Sequence, residues 1–231
     1  MNTKQPSDGA RVSPAEKLRI IEIKLTEGFD QWIETVPRGC SGDRLFRLFI
    51  FALKENPALV DCSRETIFKA FRDCGATGLD VGGERAPAYL TASKGRLKYH
   101  VSYRGFLELA HRAGQVKTFR IEAVREGDLF QYTPSAADPV LHTWSDDADR
   151  ELLAVSNVYA QLVKPGGGVE CEVWSTARIE KHKEQFVSNW SSPSSNWSKD
   201  WLSMAKKTVI LSLLRSGRVY LSNDIRENLE P

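Results

Sequence analysis

The sequence has no run of about 18 consecutive apolar residues, which is the length that a membrane-spanning helix requires. Its first residues, MNTKQPSDGARVSP, are polar and lack the apolar segment of a secretory signal. Together these two absences predict a cytoplasmic protein that does not enter a membrane. The remaining composition, 41% hydrophobic and 27% charged over 231 residues, is typical of a globular protein with one large domain or two small ones.

Metal-binding and common catalytic motifs are also missing. The four cysteines form no CxxC pair, and the four histidines form no HExxH or HxH pair, which disfavours zinc sites and predicts reduced thiols. The sequence contains no GxxxxGK[ST], no GxGxxG and no GxSxG. We therefore expect no cofactor and no enzymatic activity.

The overall charge shows little excess of either sign, but the charges are segregated along the chain. The 32 Lys+Arg residues nearly balance 30 Asp+Glu, which leaves a net charge of +2. Residues 94–125 hold eight basic and two acidic residues (+6), residues 126–151 hold seven acidic and one basic (−6), and residues 178–218 hold eight basic and three acidic (+5). The two basic blocks could bind a polyanion, although solvated surfaces would give the same pattern.

Hydrophobic periodicity predicts helices on both sides of a strand-rich middle. A capping box, Ser13-Pro14-Ala15-Glu16, begins the first helix, which is expected to continue to Val36. The other predicted helices run from about Asp43 to Glu55, from Ser63 to an end marked by Gly75 and Gly78, from Gly105 to Ala113, from Thr176 to Phe186 and from Lys199 to Arg215. Residues 188–198 are predicted to form a mobile loop.

Short β-rich segments occupy the middle of the chain. In the segment Leu97–Tyr103, apolar and polar residues alternate, which indicates one buried and one exposed face. The predicted pairs are Ala88–Ala92 with Leu97–Tyr103 across the turn Ser93–Arg96, Phe119–Arg125 with Asp128–Thr133 across Glu126-Gly127, and Leu152–Val163 with Val169–Trp174, besides a short strand near Val140–Trp144. This order predicts an α+β fold with a mostly antiparallel sheet or hairpins and flanking helices.

The predicted domain organisation follows the same order. One domain over residues 13–221 is expected, lying between a disordered segment, 1–12, and a short tail, 222–231. Within that domain, the helical part covers 13–80, the strand-rich core 86–175 and the C-terminal helices 176–216.

Nucleic-acid binding is the function that the basic blocks favour. Single-stranded ligands require cations for the phosphates and flat rings for the bases, and the first block interleaves Tyr99, Tyr103 and Phe106 with its cations. The second block carries two adjacent lysines in the sequence MAKKT. The candidate DNA-binding residues are Lys94, Arg96, Lys98, Tyr103, Arg104, Arg112, Lys117, Lys206, Lys207 and Arg215.

Several of these residues also have a structural interpretation. Arg104 could pair with Glu108 one helical turn later, and Tyr103 could belong to the core. The acidic residues of 126–151 could hold a metal, but their spacing matches no EF-hand loop.

Short segments in a fixed order resemble the RecT family of phage single-strand annealing proteins. The similarity extends from about residue 29 to residue 221. The matching segments are KENPAL (54–59), GLD (78–80), AYL (88–90), YRGFLELA (103–110) with GQVK (114–117), and MAKKT (204–208). Each segment alone is weakly specific, whereas the ordered set is specific.

The resemblance implies a RecT/Red-beta-like fold and ATP-independent annealing of complementary DNA strands during phage or prophage recombination. It further implies a homo-oligomer, as a ring or helical filament, that holds single-stranded DNA and an annealed duplex intermediate. A phage 5′→3′ exonuclease and a host single-strand-binding protein are the implied partners, in the cytoplasm of a bacterial host. By the family pattern, Arg104, Lys206 and Lys207 contact phosphates.

Two departures from the family pattern concern the C-terminal part. Fewer basic residues follow Lys207 than is usual in the family, so the cationic stripe on the last helix is expected to be thinner. Family members also commonly carry a longer C-terminal tail for contacts with partners.

Three alternative functions remain open at the level of the sequence. They are a general single-strand-binding protein that does not anneal, a metal-dependent nuclease that uses the acids of 126–151, and a structural oligomer whose basic face meets acidic protein.

Overall fold

The computed structural model describes residues 13–83 and 85–218. It combines helices with antiparallel strand pairs, which confirms the predicted α+β class. Contacts along the chain divide it into two compact units, the first up to Gly105 and the second from Phe106. The domain boundaries expected from the sequence stay a prediction, and those for 1–12 and 222–231 lie outside the described residues.

Within the described residues, the first unit contains five helices followed by a β-hairpin. Its elements are α1 (Pro14–Glu27), α2 (Phe29–Ile33), α3 (Gly42–Glu55), α4 (Pro57–Val60), α5 (Arg64–Thr77), β1 (Ala88–Ser93) and β2 (Arg96–Val101), and the helix α6 (Tyr103–Arg112) begins at its end.

The helix bounds agree with the sequence to within about two residues, except at the end of the first helix. The Ser13 hydroxyl accepts a hydrogen bond from the amide of Glu16, as the predicted capping box requires. The expectation of one helix to Val36 is wrong, because Gly28 ends α1 and separates it from α2. Helix α6 begins at Tyr103, two residues before its predicted start, because β2 already ends at Val101.

The core of the first unit forms around stacked rings. Trp32 stacks on Phe71 with ring centroids 4.2 Å apart, and its indole N–H donates to the Phe71 carbonyl at 2.8 Å. Gly75 was expected to mark the end of α5 but lies inside it, where a Cβ would come within 2.5 Å of the Trp32 Nε1. The actual end is Gly78, whose φ of 64° is the left-handed conformation that glycine adopts without strain.

Within the described residues, the second unit contains three strand pairings, arranged in two sheets, and three further α-helices. Its elements are β3 (Thr118–Arg125), β4 (Leu129–Tyr132), β5 (Val140–Thr143), β6 (Val155–Val163), β7 (Val169–Ser175), α7 (Thr176–Phe186), α8 (Asn196–Lys199) and α9 (Trp201–Arg215). The expected β6–β7 hairpin is confirmed.

The predicted hairpin between β3 and β4 is wrong. Strand β3 pairs with β6, and β4 pairs with β5. The reason is the turn between them, where the Asp128 carboxylate accepts hydrogen bonds from the amides of Arg125 and Ser145. These bonds end β3 at the turn and bring β4 beside the strand that precedes Ser145.

The central strand β6 is buried on both faces, since its successive residues Val158, Tyr159 and Ala160 are all fully buried. Helix α9 packs against β3, β6 and β7, and the β4–β5 hairpin packs on Tyr159. The segment predicted as a mobile loop, 188–198, contains the first turn of α8 and the buried Trp197. No helix within residues 13–83 and 85–218 is long and apolar enough to cross a membrane.

Candidate nucleic-acid interface

The ten predicted binding residues are divided equally between the two units. Lys94, Arg96, Lys98, Tyr103 and Arg104 belong to the first unit, and Arg112, Lys117, Lys206, Lys207 and Arg215 belong to the second.

The first set is organised by a tight turn between β1 and β2. Lys94 and Gly95 have φ values of 51° and 71°, and Ser93 pairs with Arg96, so these two residues form the turn of a two-residue hairpin. The amide of Ser63 donates to the Gly95 carbonyl at 2.8 Å, and this bond holds the turn at the beginning of α5. Lys94 is therefore presented at the tip of a fixed hairpin.

The strand alternation expected for β2 places its cations on the outside. Leu97, Tyr99 and Val101 are buried against α5, so Arg96 and Lys98 are on the opposite face and are exposed. Neither of these two side chains, nor Lys94, forms an ion pair within the part of the chain that the structure describes. Their positive charge is available to a ligand.

Two aromatic groups share this outer surface and were not predicted as site residues. Tyr89 is directly opposite His100 in the register, and the two rings stack with centroids 5.1 Å apart and an interplanar angle of 18°. The Thr91 hydroxyl is 2.8 Å from His100 Nε2. We call the surface of Tyr89, Thr91, Arg96, Lys98 and His100 the hairpin face. The alternation of β2, extended to its cross-strand neighbours, would have identified both rings.

The first turn of α6 presents Arg104. Its side chain is exposed, and its Nε donates to the Tyr103 hydroxyl at 3.1 Å. The alternative pairing with Glu108 does not occur, because Glu108 binds Arg112 at 2.8 Å instead. Gly105 follows at a crowded position, where a Cβ would come within 2.3 Å of the Pro87 carbonyl oxygen.

The lysine pair of the second unit has two different environments on α9. Lys206 Nζ is 3.7 Å from a Glu122 carboxylate oxygen, and both side chains are about one-third exposed. Lys207 is half-buried, and burial together with the charge of Arg215 lowers its pKa. The same Arg215 charge contributes to the lowered pKa of His182, so Arg215, Lys207 and His182 lie in one neighbourhood.

Lys117 and Arg112 complete the second set. Lys117 is exposed immediately before β3, where its amide donates to the Val163 carbonyl at 2.8 Å. Arg112 is held on α6 by its ion pair with Glu108, so a phosphate at Arg112 would compete with that carboxylate.

In the acidic segment 126–151, Asp128 stabilises the fold of the second unit. The buried Asp128 carboxylate accepts hydrogen bonds from Arg150 and from the two amides of the turn, and His142 Nε2 is 3.0 Å away. Within residues 13–83 and 85–218, no three His, Cys, Asp or Glu side chains are grouped so that they could hold a metal ion.

The chain is similar to known proteins over most of its length. A model of the RecT family matches residues 43–223, a range that contains all ten predicted residues and the hairpin face. Protein RecT of Escherichia coli (strain K12) is 29% identical over 194 residues, which covers 80% of this chain and 70% of that protein. The uncharacterized protein YqaK of Bacillus subtilis (strain 168) is 30% identical over 127 residues, which covers 55% of this chain and 42% of that protein.

Proposed function

We propose, from the premise that this chain belongs to the RecT family, that it binds single-stranded DNA through its exposed cations and pairs complementary strands without ATP. Family membership makes it a recombination-associated single-strand annealing protein. The ATP independence, the strand-pairing activity and the residues that contact DNA are the content of the proposal.

The observation that carries the proposal is the hairpin face. It combines two exposed cations without acidic partners among the described residues and a stacked Tyr89–His100 pair, and Lys94 is at the tip of the same hairpin. Cations that neutralise phosphates and rings that stack on bases are the two requirements of sequence-independent single-strand binding. Lys206 and Lys207 supply further positive charge in the second unit.

Annealing requires more than binding of a single strand. The first strand must be held through its phosphates while its base edges stay accessible, because base pairing and not the protein then selects the second strand. Contacts made by lysine and arginine with the backbone meet this demand, since they carry no sequence information. Successive protomers on one strand would add to the affinity of each by raising the local concentration of binding sites. We therefore propose a ring or a helical filament as the active form.

The implied partners and location follow from the same premise. A phage 5′→3′ exonuclease would supply the single strand, and a host single-strand-binding protein would meet the same substrate, in the cytoplasm of a bacterial host.

The test of the pairing activity mixes two complementary oligonucleotides, labelled with a fluorescence donor and acceptor, with the protein and without nucleotide. We expect annealing to be faster than in a protein-free control and to be unchanged when ATP is added. Binding without acceleration would identify a general single-strand-binding protein. Loss of full-length DNA with Mg²⁺ that a chelator prevents would identify a nuclease.

The test of the binding residues removes the cations of the hairpin with little disturbance of the fold. In the variant Lys94→Asn/Arg96→Thr/Lys98→Thr, asparagine suits the positive φ of the turn and threonine suits a strand. We expect weaker binding of single strands, with the slope of log K against log salt reduced by up to about 2, from about 0.7 per lost phosphate contact.

A control variant removes the same charge elsewhere. Arg19, Arg38 and Arg72 are exposed in the first unit and outside the predicted site, so Arg19→Gln/Arg38→Gln/Arg72→Gln should leave the salt slope unchanged. Equal losses in both triple variants would refute the assignment of the hairpin face.

A further inference from the structure

Four planar side chains contact one another in a line in the second unit. Arg178, His182 and Phe186 are spaced four residues apart on α7 and therefore share one face of the helix. The His182 ring is 4.7 Å from the Phe186 ring and 5.2 Å from the Trp174 ring of β7, by centroids. The Arg178 guanidinium is 4.0 Å from the Trp174 ring centroid. We call these four residues the α7 ladder.

Among the three rings of the α7 ladder, exposure increases from Trp174 to Phe186. Trp174 is 6% exposed and anchors the line, His182 is half-buried, and Phe186 is 66% exposed at the last residue of the helix. A phenylalanine of this exposure leaves an aromatic surface open to water. Because the His182 ring supports the Phe186 ring, a ring of a ligand could stack on Phe186 with little loss of side-chain entropy.

The charges around the α7 ladder are mainly positive. Arg178 and Arg215 both contribute to the lowered pKa of His182, after burial, and Arg215 acts on Lys207 in the same way. The Glu172 carboxylate accepts a hydrogen bond from the Trp174 indole at 2.8 Å and lies 3.4 Å from both Arg178 and Arg218. Two arginines share this carboxylate, and the three side chains together carry a charge of +1, so this end of the ladder complements an anion.

We infer that the α7 ladder is a base-stacking site for unpaired nucleotides, with a base on Phe186 and His182 and an adjoining phosphate near Arg178. A protein partner could bind the apolar ring without contacting the cations. A DNA duplex has phosphates, but its bases are paired and are not accessible for stacking. An unpaired nucleotide uses both features at once. This inference rests on the proposed function, because it assigns one part of the single-strand path.

The experiment compares Phe186→Ala, Phe186→Trp and the wild-type protein on two ligands, a single-stranded oligonucleotide and an abasic strand of equal length. On the ordinary strand, we expect Phe186→Ala to weaken binding by about tenfold, the loss typical of one stacked base, and Phe186→Trp to retain it. On the abasic strand, we expect no difference between the three proteins. The salt slope should not change, because no cation is removed.

A matched control is Phe51→Ala, which removes another exposed phenylalanine, 55% exposed, from helix α3 of the first unit. Its binding should equal that of the wild type, and thermal unfolding checks that both alanine variants fold. Normal binding by Phe186→Ala, or an equal loss on both ligands, would overturn the inference while leaving the proposed function intact. If the wild-type protein binds no single strand, the proposed function itself fails.

Discussion

At the scale of single residues, the ability of each cation to bind a phosphate depends on whether an acidic side chain pairs with it. Lys94, Arg96 and Lys98 project without ion pairs inside the described residues, Arg112 is bound to Glu108, and Lys206 faces Glu122. In the sequence, each of these lysines and arginines simply counts as one positive charge. We therefore expect the cations without an acidic partner to contact a ligand more strongly, because a phosphate must displace a carboxylate at some positions and only water at others.

The effect of an acidic partner on DNA binding can be tested at Glu122. Replacing it with glutamine removes the acid beside Lys206, so we expect Glu122→Gln to bind single-stranded DNA about two- to fivefold more tightly, the range of a partly exposed ion pair. Titration of a labelled oligonucleotide at low salt measures the change. Asp61→Asn is the control, because Asp61 binds Lys17, which lies outside the predicted site. Binding that is unchanged or weaker in Glu122→Gln would show that Lys206 does not contact DNA.

At the scale of secondary structure, the β4–β5 hairpin is joined to the rest of the second unit by a buried polar cluster. The Asp128 carboxylate is inaccessible to solvent, and the Arg150 guanidinium donates to both of its oxygens at 2.7 and 2.6 Å. His142 of β5 lies between Asp128 and the Tyr159 hydroxyl, 3.2 Å away. Since one carboxylate satisfies donors from several segments, its loss affects all of them together.

We expect Asp128→Asn to lower the free energy of unfolding by up to about 3–5 kcal/mol, because it removes the buried one of the two carboxylates that pair with Arg150 and leaves only the exposed Glu151. Urea unfolding at neutral pH measures this loss. Asp146→Asn removes an exposed acid from the same segment and should have little effect. Equal stabilities of Asp128→Asn and Asp146→Asn would contradict the role given to the cluster.

The same cluster determines how stability depends on acid. The hydrogen bonds from Arg150, above all, hold the pKa of Asp128 well below its usual value. The folded state therefore prefers the carboxylate. Its contribution is present above the unfolded pKa of about 3.9 and is lost as the pH falls below it. The advantage of the wild-type protein over Asp128→Asn should shrink in that acidic range.

At the scale of the whole molecule, we expect the protein to assemble on DNA. Each protomer exposes few cations that lack an acidic partner among the described residues, so we expect tight binding to need neighbouring protomers on the same strand. We expect complexes whose mass grows in steps as the oligonucleotide is lengthened, measured by mass photometry. Electron microscopy after successive addition of two complementary strands should then show rings or filaments. One protomer per strand at every length would contradict this expectation.

Features encoded by neighbouring residues were predictable from the sequence. The alternation of the second strand correctly placed Lys98 on the exposed face, and a turn was expected within Ser93–Arg96. The cap at Ser13 and the helix end at Gly78 are likewise local. In each case the energetic preference arises within a few residues, so a pattern of polarity and turn residues is enough to reveal it.

Features that join distant segments came from the folded chain. The partner of β3 is β6, which begins some thirty residues after β3 ends. The Asp128 carboxylate accepts hydrogen bonds from Arg125 and Arg150, and these bonds prevent the expected hairpin between β3 and β4. The acid beside Lys206, the stacking of Tyr89 on His100 and the contact of Trp174 with α7 likewise join residues far apart in sequence or on different strands. Periodicity specifies which face of an element is buried, whereas the identity of its neighbour depends on the packing of the whole unit.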